Sequence, residues 1–347
     1  MWVVAADNIH IENIEISGCK VPDTNGAAIR VEGCNLWLKH CYFHHNENGI
    51  LTNSFLPGAT LVFENCHFAY NGYGDGYTHN MYINKIEHFI MKNCYSHNAH
   101  IGHNVKSRAK NNTILYNRIM DESDGDSSYL IDFPYGGNNV VIGNLFHQGK
   151  NAENPTMLTH APERALNNEK QRLVVAYNTF VNERDGETIC LKLYDRADQI
   201  VFDNNLVVGV KNMILSSDYP VATTISVANN ITAYTSSFIN PLVYDYRLKQ
   251  SADAINQGAS GKFMPYFQYV HPSLAGKRAV VQSPDVGAYE YQPDILLLTA
   301  DHQFQITETD APVCYDLALA VAPLSPVTVS ISSSMTEIQL QPASLVF

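Results

Sequence analysis

Apolar residues fall in short alternating runs along this chain, and the runs themselves recur. The recurring unit is apolar-x-(Asn or Cys)-x-apolar. It appears as LKHCYF around Cys41, FENCHF around Cys66, MKNCYS around Cys94 and LYNRI around Asn117. It continues as IGNLF around Asn144, AYNTF around Asn178, FDNNL around Asn204 and VANNI around Asn229. An earlier copy, IENIEI, puts Ile14 at the same point. Neighbouring copies lie 23 to 34 residues apart, which suits a coil of three short strands and three turns. Parallel strands stack about 4.8 Å apart, so equivalent residues form columns. An interior column of Asn runs its amides as a hydrogen-bonded ladder, satisfying polar groups whose burial would otherwise be costly. Cys41, Cys66 and Cys94 then read as small, weakly polar filler of the same slot rather than as metal ligands or redox centres.

A second strand of each coil can be matched in the same way. Alternation points Val31, Leu51, Ile83, Val105, Ile131, Leu158, Leu191 and Leu215 inward. The residues after them then share an outer face: Glu32, Thr52, Asn84, Lys106, Asp132, Thr159, Lys192 and Ser216. A one-residue slip would reverse every one of these assignments. A helical solenoid is excluded by the Asn-Gly, Gly-Gly and Asn-Asn turns and by the lack of a sustained 3.6-residue period. The expected fold is all-β: a single-stranded right-handed parallel β-helix over residues 1–250.

The pattern changes near residue 250. Residues 251–294 are rich in turn residues and aromatics, and are expected to cap the last coil's exposed edge. With the Tyr-Arg-Leu just before them, the Ser251-to-Gly258 stretch and Asp285-Val-Gly-Ala-Tyr-Glu290 resemble the closing segment of many secreted β-helix proteins. Asp285 and Glu290 are therefore assigned structural roles. Residues 295–347 alternate with Pro turns, and with Pro342-Ala-Ser-Leu345 they resemble the first half of a Calx-beta-type, immunoglobulin-like sandwich. Too few strands are present to close one. The expectation is an incomplete sandwich within a larger, modular, extracellular chain.

Bulk properties narrow the partners. Hydrophobic residues make up 45% and charged residues 16% of 347, the balance of a chain with a real core. A net charge of -12 argues against nucleic acid, which needs a basic face. No apolar run approaches the roughly 18 residues of a membrane span. Met1 leads directly into strand sequence, with no secretion signal visible. Seven cysteines without a Cys-x-x-Cys pair argue against a disulfide framework or a zinc finger.

Chemistry concentrates between His79 and Gly137. Val105-Lys106-Ser107 and then Asn111-Asn112-Thr113 resemble the chondroitinase B and alginate lyase family of β-helix enzymes. There a Val-Lys-Ser followed by an Asn-rich turn carries the lysine base. The family also has an arginine on the next coil, in a strand of the type Leu-x-Leu-Arg-His-Gly, where this chain has LIDFPYGG. The resemblance implies β-elimination on an acidic polysaccharide, with Lys106 as base if burial or cations lower its pKa. Arg108 or a bound Ca2+ would neutralise the uronate. His103 and Asp132 complete the candidate catalytic set, and His79, Tyr82, Asn84, Tyr129, His160 and Lys192 are candidate substrate contacts. Tyrosines 73, 77 and 135 in the same coils offer further faces for sugar rings.

His97 and His100 read as turn residues. Asp121, Glu122, Asp124 and Asp126 sit on a Gly-containing loop and are candidate Ca2+ ligands, with a solvated acidic turn as the alternative. Two further functions stay open: an inverting glycoside hydrolase using Asp124, Asp126 and Asp132, and a non-catalytic carbohydrate-binding or adhesin-like stalk.

Overall fold

A computed structural model describes residues 1–217 and 222–292, and beyond them the strands Leu296–Leu298, Leu317–Leu319, Thr328–Ser330 and Ser344–Val346. Two compact units divide the chain, residues 1–290 and 291–347.

The first unit is a parallel β-helix. Every coil gives one strand to each of three nine-stranded sheets. In the coil that carries Lys106, these strands are His103–Ser107, Asn111–Leu115 and Arg118–Met120. Between the second and third sheets each coil turns on one left-handed residue: Asn65, Asn93, Tyr116, Gly143, Tyr177, Asn204 and Asn229 among them. Asn tolerates this conformation because its short polar side chain can bond locally. The residue that follows fills the interior slot. Its amide ladder runs Asn117 to Asn144 (2.9 Å), Asn178 (3.1 Å), Asn205 (3.0 Å) and Asn230 (3.0 Å).

The ladder therefore uses Asn205 and Asn230, not Asn204 and Asn229. In each Asn-Asn pair the first residue takes the left-handed corner and the second faces inward. Above the ladder, Cys94 donates its backbone N–H to Asn117 Oδ1, and Cys66 donates its own to Cys94 Sγ. Burial pushes the Cys66 thiol well above its ordinary pKa, which fits a filler role. A second amide chain, absent from the repeat pattern, lines the corner between the third and first sheets. It runs Asn46, Asn71, Asn80, Asn104, at 3.0, 2.9 and 2.8 Å.

In the first sheet, register places Arg30, Leu51, Tyr82, Lys106, Asp132, Thr159, Lys192 and Leu215 in one outward column. Val31, Thr52, Ile83, Ser107, Phe133, His160, Leu193 and Ser216 form the next column, facing in. The outward placement of Lys106, Asp132, Thr159 and Lys192 is as expected from alternation. Leu51 and Leu215 are reversed, as are Thr52 and Ser216, while Glu32 and Asn84 fall just past their strands. A strand with two inward positions lets an apolar match slide along it, which is why local alternation misjudged these coils.

Residues 251–290, expected as a cap, form a strap along the flank of the solenoid, against the corner between the second and third sheets. Ala259 bonds both the Tyr177 hydroxyl and Asn204 Oδ1, Phe267 packs on Tyr116, and Ser273 reaches the carbonyl of Cys66. The strap thus retraces several coils. It returns to Thr179 and Asn204 through Ala288 and Gly287. Arg278 and Glu290 pair inside it at 2.9 Å, both buried, and Asp285 accepts the backbone N–H of Asn256.

In the second unit, Leu296–Leu298 pairs antiparallel with Leu317–Leu319, and Thr328–Ser330 with Ser344–Val346. The rest of the sandwich expected over 295–347 lies outside the described residues.

Candidate functional site

The outward face of the first sheet carries the candidate groove. Lys106 stands in its column between Tyr82 and Asp132, with Nζ 5.1 Å from the centre of the Tyr82 ring. Burial lowers its pKa below the usual lysine value, Arg108 adds to the effect, and Asp132 and Glu163 oppose it. A larger fraction of neutral amine is what a lysine base needs.

Arg108 lies one residue beyond the same strand. Its guanidinium is held between the rings of Tyr82 and Tyr135, 5.0 Å from each. It donates to the Tyr82 hydroxyl, to Asn84 Oδ1 and to Glu163 Oε1. Burial works to lower its pKa, but the Glu163 hydrogen bond and the other partners hold it above the ordinary value.

Asp132 is buried and accepts the Thr159 hydroxyl, with His103 Nε2 at 3.5 Å. Burial alone would raise the carboxyl; His103 and Lys106 instead bring it below the usual carboxylate range. His103 stacks on His79 at 4.6 Å and tilts towards Tyr129 at 5.1 Å. His79 Nδ1 accepts the backbone N–H of His103, so the proton of the neutral ring sits on Nε2. That nitrogen is buried and has no partner. Burial, then His103, Lys106 and Arg108, push the His79 pKa well below its ordinary value.

Sheet register therefore brings Lys106, His103, Arg108, Asp132, His79, Tyr82, Asn84 and Tyr129 onto three adjacent coils. Lys192 is in the same outward column, its Nζ 4.8 Å from the Tyr194 ring. His160 is not part of the groove. It pairs with Phe133 and Leu193 in the inward column, is fully buried, and has a pKa lowered by burial to about 4. A histidine at the inner position of a strand is core, whatever its neighbours outside.

The acidic loop does not converge. Asp121 is buried, accepting Ser127 Oγ and Gly149 N, and burial raises its pKa to about 6. Glu122 takes the Tyr95 hydroxyl, Asp124 the amide of Asn98, and Asp126 pairs with His100 at 2.9 Å. Among the described residues no group of three or more His, Cys, Asp or Glu is placed to hold a metal ion. Each of the four carboxylates instead has its own protein donors. His100 lies in a turn as expected, but His97 ends the strand Tyr95–His97, its ring stacked on those of Tyr95 and His67.

Glu163 is the site residue that pattern reading missed. It lies in the one interval of 34 residues between ladder positions, Asn144 to Asn178. The extra length forms a loop with a single 3-10 turn, Arg164–Leu166, that folds back beside Arg108. The unusual interval was the only signal, and it says nothing about which side chain the loop delivers.

Residues 2–146 match the family described as right handed beta helix region. The three sheets continue beyond that match without a break, to Ile231–Ala233. The first unit is thus a right-handed parallel β-helix, consistent with the pectate-lyase-like kind. No curated protein and no solved structure matches the chain. Among the described residues no helix is long and apolar enough to cross a membrane.

Proposed function

We propose that this is a secreted carbohydrate-active β-helix protein that cleaves an acidic polysaccharide by β-elimination in the groove around Lys106. The supporting observation is a half-buried lysine of lowered pKa on an outward strand position, beside a fixed arginine. In the reaction, neutral Lys106 takes the proton at C5 of a uronate. The electron pair left behind forms the C4–C5 double bond as the C4–O bond breaks, and the departing oxygen takes a proton from an acid such as His103. Arg108 stabilises the negative charge that builds on the uronate carboxylate. Tyr82, Tyr129 and Tyr135 supply faces for sugar rings.

The test is incubation with alginate, pectate and chondroitin, with and without added Ca2+, following the ultraviolet absorbance of unsaturated product. Lys106→Ala should abolish product formation. Absence of product from every acidic glycan ends the lyase reading, and activity retained by Lys106→Ala ends the assignment of the base. A second reading rests on the Arg108–Glu163 pair, which already gives the arginine a carboxylate. In that case the groove binds glycans without cleaving them, and binding without product would identify it.

A further inference from the structure

Arg108 is the groove cation best placed to hold a carboxylate, and it already holds one. Glu163 Oε1 lies 2.5 Å from Arg108 Nη2, from a loop 55 residues further along the chain. The Glu163 side chain is 37% exposed and that of Arg108 only 10%. The carboxylate therefore lies on the solvent side of a guanidinium otherwise enclosed by Tyr82 and Tyr135. Arg108 Nε is buried without a partner, so the guanidinium has unused hydrogen-bonding capacity.

The loop does not depend on this ion pair for its position. Its backbone is tied to the neighbouring coil by Ala161 N to Phe133 O, Glu163 N to Pro134 O and Asn168 N to Tyr135 O. Gln171 adds bonds from its side chain to Tyr135 O and Asn168 O. Only the Glu163 side chain need move for Arg108 to be released. Exchanging one carboxylate for another on a guanidinium keeps the charge paired throughout, whereas leaving a buried arginine unpaired would be costly.

We propose that Glu163 occupies, in the free protein, the position on Arg108 that an acidic sugar's carboxylate takes, making Glu163 a resident competitor that sets the groove's affinity for uronates. The proposal rests on the acidic-glycan reading above and makes the ligand class specific: a carboxylate-bearing sugar must displace Glu163, while a neutral sugar gains nothing by doing so.

The experiment is calorimetric titration of oligogalacturonate, alginate oligosaccharide, chondroitin oligosaccharide and neutral galactan oligosaccharide into four proteins. These are wild type, Glu163→Gln, Arg108→Gln and the double variant. Glu163→Gln should bind the acidic ligand about fivefold more tightly, the scale of a partly exposed ion pair, and the neutral one unchanged. Arg108→Gln should lose the acidic preference, and the double variant should bind no better than Arg108→Gln. A purely structural ion pair would not produce that selectivity. Unchanged or weaker acidic binding by a folded Glu163→Gln overturns the proposal. If that variant does not fold, Glu163→Asp decides, since a shorter side chain withdraws from Nη2 and must also tighten acidic binding. Acidic oligosaccharides that bind wild type and Glu163→Gln equally remove this inference alone. No acidic binding by any of the proteins removes the acidic-glycan reading itself.

Discussion

Removing one rung of the asparagine ladder should be among the most damaging single truncations in the solenoid. Asn178 is fully buried. Its Oδ1 accepts from the backbone N–H of Asn144 at 2.9 Å and from the Asn144 amide at 3.1 Å. Its Nδ2 donates to Val141 O at 2.9 Å and to Asn205 Oδ1 at 3.0 Å. Asn178→Ala breaks all four bonds, whose partners lie in the two coils that flank its own. At about 1 kcal/mol net for each bond, the loss is about 4 kcal/mol, with water entering the vacated site recovering part of it. Asn229→Ala is the comparison. Asn229 is exposed at a left-handed corner with φ 54°, so its replacement costs about 1 kcal/mol of backbone strain. Urea unfolding followed by far-ultraviolet circular dichroism measures both. Amide exchange across 141–147 and 175–180 shows whether the damage stays with the neighbouring coils, as nearest-neighbour coupling in a solenoid requires. An Asn178→Ala loss no larger than that of Asn229→Ala would refute the ladder as an energetic feature.

Other consequences are as direct. His160 has its pKa depressed in the folded state, so its contribution to stability is present above its unfolded pKa. That contribution is lost as pH falls from about 6.5 towards about 4. His160→Gln should flatten that part of the pH–stability profile relative to wild type, and an unchanged profile would count against burial as the cause. Gly102→Ala should disturb the His79–His103 stack, because a Cβ there would lie 1.9 Å from Thr78 O and 3.0 Å from His79 Nδ1. A loss of about 1–3 kcal/mol, with groove activity falling in parallel, is expected, and a fully stable, fully active variant would contradict it. In Lys106→Arg the charge stays but the lowered pKa goes, so cleavage should fail while glycan binding survives; retained cleavage would exclude a neutral amine as the base.

Most of the solenoid was legible because its periodicity is chemical as well as hydrophobic. Asn or Cys must recur once per coil for the interior amides to be satisfied, and that recurrence can be counted along the chain. The same logic put Lys106 and Asp132 side by side, since residues one coil apart stack in register. Legibility ended where two alternatives had equal local merit. The Asn204-Asn205 and Asn229-Asn230 pairs do not say which member turns the corner, and an apolar strand with two inward positions does not say which leucine faces out. His160 looks like a groove histidine in sequence and is core in space.

By itself, then, the sequence determined the repeat, the three-strand coil, the interior ladder and the neighbourhood of Lys106, because each follows from contacts between residues one coil apart. Only tertiary structure decided the features made by segments with no repeat relation to their partners. The strap lies along the flank because Ala259, Phe267 and Ser273 find bonds and rings on separate coils. The carboxylates of the acidic loop meet donors from several different segments. Glu163 meets Arg108 because an inserted loop folds back across the coils, a contact over 55 residues that no periodicity encodes.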